Sequence, residues 1–136
     1  MISTTDRHVV AARTRLAQRT PVRVLVDEAH QQAWSVRPEV AATMQPHHPG
    51  DSSYAAAARL LADRDYEVVV HTGGALDAAA LADVDVVIVA HPSDPRFEAT
   101  TGVGSPVFSD DERAGLAAFV AAGGGLVVLG ETEQDK

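Results

Sequence analysis

Four short runs of this chain are almost wholly Val, Ile and Leu, and each stops at a polar residue. Val22–Val26 stops at Asp27, Glu28 and His30; Tyr66–Val70 at His71; Asp83–Ala90 at His91; and Gly125–Gly130 at Glu131. The runs are near-continuous rather than alternating, as strands buried on both faces are, and this predicts a parallel sheet covered on both sides. Helical patterns lie between them. Ser52 or Ser53 can cap a helix that carries Tyr54, Ala57, Ala58 and Leu61 and ends near Arg64. Ala75–Asp83 supplies a short helix. Ser109-Asp110-Asp111-Glu112 spells a capping box whose acids suit the positive end of a helix dipole. That last helix is expected to present Leu116, Phe119 and Val120 on one face, with Gly123 as its left-handed C′ residue. The repeated β-α-β order predicts an α/β fold: an open, mostly parallel sheet of four or more strands with helices on both faces and right-handed crossovers.

At 136 residues the chain has the length of one domain. We divide it into an N-terminal helical extension over residues 1–20 and an α/β domain over 21–136. The chain stops six residues after Gly130, with no helix to cover the next stretch of sheet. The expectation is therefore an incomplete domain, one part of a larger chain or of a homo-oligomer.

Composition narrows the function classes. Apolar residues make up 46% of the chain, but there are only six aromatics, which suits thin, closely packed layers better than a large cavity. With no cysteine, disulfides, thiolate metal sites and a cysteine nucleophile are excluded. No apolar run reaches the roughly 18 residues of a membrane span, and the amphipathic N-terminus has arginines in place of an apolar secretory core. The reading is a cytoplasmic protein with no membrane partner. The net charge is −8, the only lysine is Lys136, and the ten arginines are spread among 19 acids with only a weak grouping at Arg13, Arg15, Arg19 and Arg23, so nucleic acid is not an expected partner.

The end of the first run reads Asp27-Glu28-Ala29-His30, the letters of a helicase Walker B box. Such an acid works on magnesium held by a nucleotide in a P-loop, which needs glycines and a lysine upstream. The 26 residues before Asp27 contain neither. The four letters end a strand, and the helicase reading fails.

In open α/β sheets ligands bind beyond the carboxyl ends of the strands. The residues expected there are Asp27, Glu28, His30, His71, His91, Ser93, Asp94 and Glu131. Such side chains cap strand ends and tie loops down, or they bind a ligand, or with Asp, His and Glu together they hold a cation or do acid–base work. No tight ligand motif such as H-E-x-x-H is present. Two long loops follow strand ends, over residues 31–51 and 91–109, and loops of that length are usually functional or disordered. His47-His48 between prolines reads as an exposed turn. Ser93 in "HPSDP" lacks the G-x-S-x-G context of a nucleophile elbow and reads as an Asx or Ser turn. The glycines of "AAGGGL" precede a strand, so they cap a helix rather than cradle a phosphate. Gly102 and Gly104 read as a turn or a flexible lid. Trp34, the sole tryptophan, is either a cover over the sheet or an anchor for a ligand.

The segments "VRVLVDEAHQ", "LADVDVVIVAHPSD" and "FVAAGGGLVVLGE", in this order, resemble the class I glutamine amidotransferase-like superfamily. The closest similarity is to its noncatalytic branches, the ThuA-like domains and the domain of gliding-motility ABC-system and intraflagellar-transport proteins. The resemblance spans about residues 21–131. In the amidotransferases the nucleophilic cysteine follows a strand like Leu126–Leu129. Here Gly130, Glu131 and Thr132 occupy that turn, so glutaminase chemistry, which needs a thiolate, is excluded. The resemblance implies a noncatalytic binding or scaffold domain without a cofactor. It would take a small polar ligand or a protein partner through the loops after strands one and three. The expected rim is Asp27, Glu28, His30, Trp34, His91, Asp94 and Glu131, with no catalytic and no metal-ligating residue. The rival is a hydrolase of a sugar or similar polar substrate, metal-assisted or not. In it Asp27 or Glu131 would act as base and His30 or His91 as acid or ligand.

Overall fold

A computed structural model describes residues 21–44 and 54–130. The expected extension 1–20, the His47-His48 turn, the Ser52/Ser53 cap and Glu131 lie outside the described residues. Each apolar run forms a strand: β1 (Arg23–Asp27), β2 (Glu67–His71), β3 (Val86–Val89) and β4 (Gly125–Val128). All pair in parallel in the order β2-β1-β3-β4. This is a flavodoxin-like order, in which the chain steps from β1 to one side and then returns to the other. The winding therefore reverses between β1 and β3.

The two-residue period of the strands sorts their side chains onto two faces. On one face Leu25, Val87 and Val89 cluster with Leu76, Leu81 and Phe119. The last two belong to α3 (Ala78–Leu81) and α4 (Asp110–Ala121). Burying each such side chain contributes about 1.5–3 kcal/mol, and this face holds most of the apolar core. On the other face Val26, Ile88 and Leu129 border an apolar groove with Tyr54, Ala57 and Leu61, the side chains of α2 (Ala55–Ala62) and of the residue before it. Helices thus cover both faces, the second less completely.

The expectation for residues 31–51 was a loop, and here the structure differs. Pro38–Met44 forms a seven-residue helix, α1, that buries Ala41 and Met44. Its signals are local: proline pre-sets the first helical residue, and Glu39 sits in the first turn. The helix is short enough to hide in a stretch rich in turn residues. A second correction concerns α4. Val120 is 44% exposed, and the buried stripe runs through Glu112, Leu116 and Phe119 instead. Those positions are four and three apart, whereas Val120 falls one step round the helix.

The ends of α4 follow the sequence closely. The Ser109 hydroxyl accepts from the Glu112 N–H, and the Glu112 carboxylate accepts from the Ser109 N–H, completing the capping box. At the other end the Gly124 N–H donates to the Phe119 carbonyl and the Gly123 N–H to the Val120 carbonyl, both at 2.9 Å. Gly123 takes φ +97°. These are the paired bonds of a Schellman motif, and a methyl at Gly124 would collide with the Phe119 ring.

Candidate functional site

Asp27 is fully buried at the end of β1. Its Oδ1 accepts from the Ala29 N–H at 3.1 Å, a turn that folds the next residues back over the strand end. Its Oδ2 then receives Gln32 Nε2 at 3.0 Å and lies 2.8 Å from His30 Nδ1. The other ring nitrogen of His30, Nε2, lies 3.1 Å from Glu112 Oε1. The ring of Phe108 stacks on the imidazole at 3.8 Å between centroids. Glu112 is the third residue of the α4 capping box, and its duties extend beyond the cap. Its Oε1 accepts the Leu76 N–H at 2.9 Å, and its Oε2 accepts both the N–H and the hydroxyl of Ser109 at 2.9 Å.

A histidine with a carboxylate oxygen on each nitrogen can satisfy both only as the imidazolium, because a neutral ring has one N–H. Burial works against the charge of His30. The hydrogen bond and charge of Asp27, joined by those of Glu112, outweigh it and raise the pKa above its ordinary 6.5. Burial also pushes Glu112 upward. The backbone N–H groups of Leu76 and Ser109, the Ser109 hydroxyl and the charge of His30 pull the other way and bring it down to about 2. Geometry and the direction of the shifts both favour the imidazolium form of His30 facing an ionised Glu112.

Beside it opens a cleft of about 390 Å³, lined by His30, Glu112, Gly73, Gly74, Val103 and Ser105. Its walls come from the loops after β1, β2 and β3. Gly104, at φ +66°, lies against the Ala29 carbonyl so closely that a methyl would collide with it, which brings the third loop onto the first. Gly74 has φ +82°, and neither it nor Gly73 has an atom within 4 Å of where a Cβ would stand. The N–H groups of Gly73, Gly74 and Ala75 have no acceptor among the described residues.

The crevice between β1 and β3, where the winding reverses, is closed by the chain itself. Gln32 and Pro92 form an antiparallel bridge. Ala33 donates to the His91 carbonyl at 3.0 Å and Ser93 to the Gln31 carbonyl at 3.0 Å. Further along, Gln31 donates to Val103 at 2.9 Å and Thr101 to Gln32 at 2.9 Å. The loop over residues 91–109 is thereby fastened to the loop after β1, and Gln31 takes φ +50° to make these contacts.

The expected rim residues separate into distinct groups. Asp27 and His30 come together as described, and among the described rim residues only His30 lines the cleft. Glu28 is fully buried and serves its own loop. Its Oε1 accepts from the Ser35 hydroxyl at 2.8 Å and the Val36 N–H at 2.9 Å, and its Oε2 accepts Arg37 Nε and Nη2 at 2.9 and 2.8 Å. Trp34 is half-buried against Tyr54, with ring centroids 5.8 Å apart. His91 Nε2 lies 2.8 Å from Glu98 Oε1. Asp94 pairs with Arg96 at 2.8 Å, and this bond together with that of the Arg96 N–H lowers its pKa. The Asx turn in "HPSDP" belongs to Asp94, which accepts the Arg96 N–H at 2.9 Å, whereas the buried Ser93 hydroxyl has no partner among the described residues.

Both ring nitrogens of His30 face carboxylate oxygens, which leaves neither free to ligate a metal in this arrangement. No group of three or more His, Asp or Glu among the described residues could hold a metal ion. No helix among them is long and apolar enough to cross a membrane. The residues that sequence reasoning missed are Glu112, Gln32 and Phe108. For Glu112 a signal existed, since its spacing to Leu116 and Phe119 puts it on the buried stripe of α4.

Comparison with known proteins finds no family model, no curated protein and no solved structure that matches this chain.

Proposed function

We propose that this chain is a noncatalytic, amidotransferase-like binding domain that takes a small polar ligand in the cleft beside His30. The observation that carries this reading is the Asp27–His30–Glu112 cluster, a fixed polar wall at the carboxyl ends of the strands next to an open space of about 390 Å³. A binding site gains from groups held in place before the ligand arrives, because little ordering remains to oppose association. The free N–H groups of residues 73–75 offer donors to a ligand's oxygens. The side chains of His30, Glu112 and Ser109 are spent on one another, which favours holding a molecule over transforming it.

The test is a series of thermal melts of the full chain with sugars, amino acids and nucleotides. A ligand present at about 100 times its Kd adds roughly 2.7 kcal/mol, a shift of several degrees. Gly73→Phe fills the cleft from a position with open space and no positive φ. One ligand class should raise the midpoint of the wild-type chain and leave Gly73→Phe unmoved. A shift of equal size in both proteins, or none with any compound, overturns the reading.

A further inference from the structure

The His30 cluster does more than form one wall of the cleft, because it is where three separate segments meet. Asp27 and His30 belong to the loop after β1. Glu112 belongs to α4 and holds the Ser109 end of the loop after β3. Through the Leu76 N–H, Glu112 also holds the loop after β2, three residues from Gly73. Backbone bonds already fasten the loop over residues 91–109 to the loop after β1; the contact of His30 Nε2 with Glu112 Oε1 is the link that ties the loop after β1 to α4 and, through Glu112, to Leu76. We propose that His30 is a protonation-controlled latch on the cleft: as the imidazolium it ties the loop after β1 to Glu112, and loss of one proton releases Glu112 together with the Leu76 and Ser109 segments that it holds. As a regulation of the cleft's occupancy, this rests on the reading given above; as a property of the walls, it stands without it.

A neutral His30 keeps one N–H. If it stays on Asp27, at 2.8 Å the shorter contact, then a bare nitrogen lone pair faces the Glu112 carboxylate. Two acceptors cannot stay at that distance in a buried site without a proton between them. Glu112 keeps its bonds to Leu76 and Ser109, so it moves with those segments and away from His30. The groups facing His30 are few. β1 and its loop present Asp27, whose other partners are the neutral Gln32 amide and the Ala29 N–H. α4 presents Glu112, the segment before it presents the uncharged Phe108 ring, and the β2 loop presents only a backbone N–H. Of the titratable groups further out, His71 is paired in register with Asp27 across β1 and β2 and bonded through Nε2 to the Gly74 carbonyl, and Arg113, beside Glu112, donates to the Phe108 carbonyl. Among the described residues no Lys or Arg lines the cleft, and His30 is the lining residue that can carry a positive charge. With the pKa of His30 raised, the latch is shut below the ordinary 6.5 and opens as pH rises through the shifted value.

The test follows the full chain by NMR through an alkaline titration, with the ring nitrogens of His30 and the amides of Leu76, Ser109, Gly73 and Gly74 read together. The latch requires the His30 ring and these amides to change with one shared midpoint above 6.5. His30→Gln should remove that step from the Leu76 and Ser109 amides, while His71→Gln should leave it in place. Ring deprotonation that those amides do not follow overturns the latch, as does a step that persists in His30→Gln. For any ligand found in the melts, affinity should fall through the same midpoint in the wild-type chain and stay flat in His30→Gln. If no ligand is found but the amides titrate together, the latch stands and the binding reading fails alone.

Discussion

Asp27 and Glu28 are neighbours in sequence, both wholly buried carboxylates at the end of the same strand, yet they belong to different regions of the molecule. Asp27 turns toward α4 and joins residues from two elements 85 positions apart, through His30 to Glu112. The Glu28 carboxylate turns the other way, and its bonds reach no further than Arg37, nine residues on. The alternation of a strand separates them, and what they meet decides their use. The Glu28 network is a local staple that shapes one loop leading into α1. The Asp27 network is a junction between segments, and the cleft lies beside it. A buried carboxylate is thus informative about function less by its burial than by how far along the chain its partners lie.

The comparison breaks most visibly at Asp27. Asp27→Ala leaves the His30 cation with one carboxylate and the Gln32 amide with none, and removing one partner of a buried pair costs about 3–5 kcal/mol. Denaturant melts should show that loss, and amide exchange should quicken around residues 73–76 and 109–112 as well as around 29–32. Acid comes next. Glu112 has its folded pKa at about 2 against an ordinary 4.5, so its contribution is present above 4.5 and is lost as pH falls through about 2. That contribution is on the order of 3 kcal/mol, and Glu112→Gln should flatten the acid limb of stability against pH. Glu28→Ala should cost less, about 1–3 kcal/mol for the orphaned Ser35 and Val36 donors, because the Arg37 side chain is 34% exposed and can turn to water. Its exchange effect should stay within residues 35–37. If Glu28→Ala loosened the cleft segments as much as Asp27→Ala does, the distinction between staple and junction would fail. The smallest effect is expected at Asp94, whose partner Arg96 is 79% exposed. Asp94→Ala should leave the melt midpoint unchanged.

The fold was largely legible because its signals are local. Val24, Leu25 and Val26 announce a doubly covered strand by themselves, and Ser109 with Glu112 announces a helix start within four residues. Gly123 and Gly124 mark that helix's end by the same local logic. α1 was missed because only Pro38 and Glu39 mark it and its apolar face is just Ala41 and Met44, too few for a periodic pattern. The site was legible in part. Asp27 and His30 are three residues apart at a strand end, so a strand-end cluster could be expected of them. Their link to Glu112 spans 82 positions and depends on the sheet order bringing α4 beside β1, which no local pattern states. The placement of Val120 failed for a related reason: an apolar side chain was preferred for the buried stripe where a carboxylate with three other donors around it took the seat.

The account's central claim is that His30 is an imidazolium held between two carboxylates, and the most direct measurement is the pair of ring-nitrogen chemical shifts of His30 in the ¹⁵N-labelled chain at neutral pH. Both nitrogens should show the protonated signature, with each N–H protected from solvent exchange. One protonated and one bare nitrogen at neutral pH would mean that His30 does not bridge Asp27 and Glu112, and both the fixed wall of the cleft and its latch would be lost.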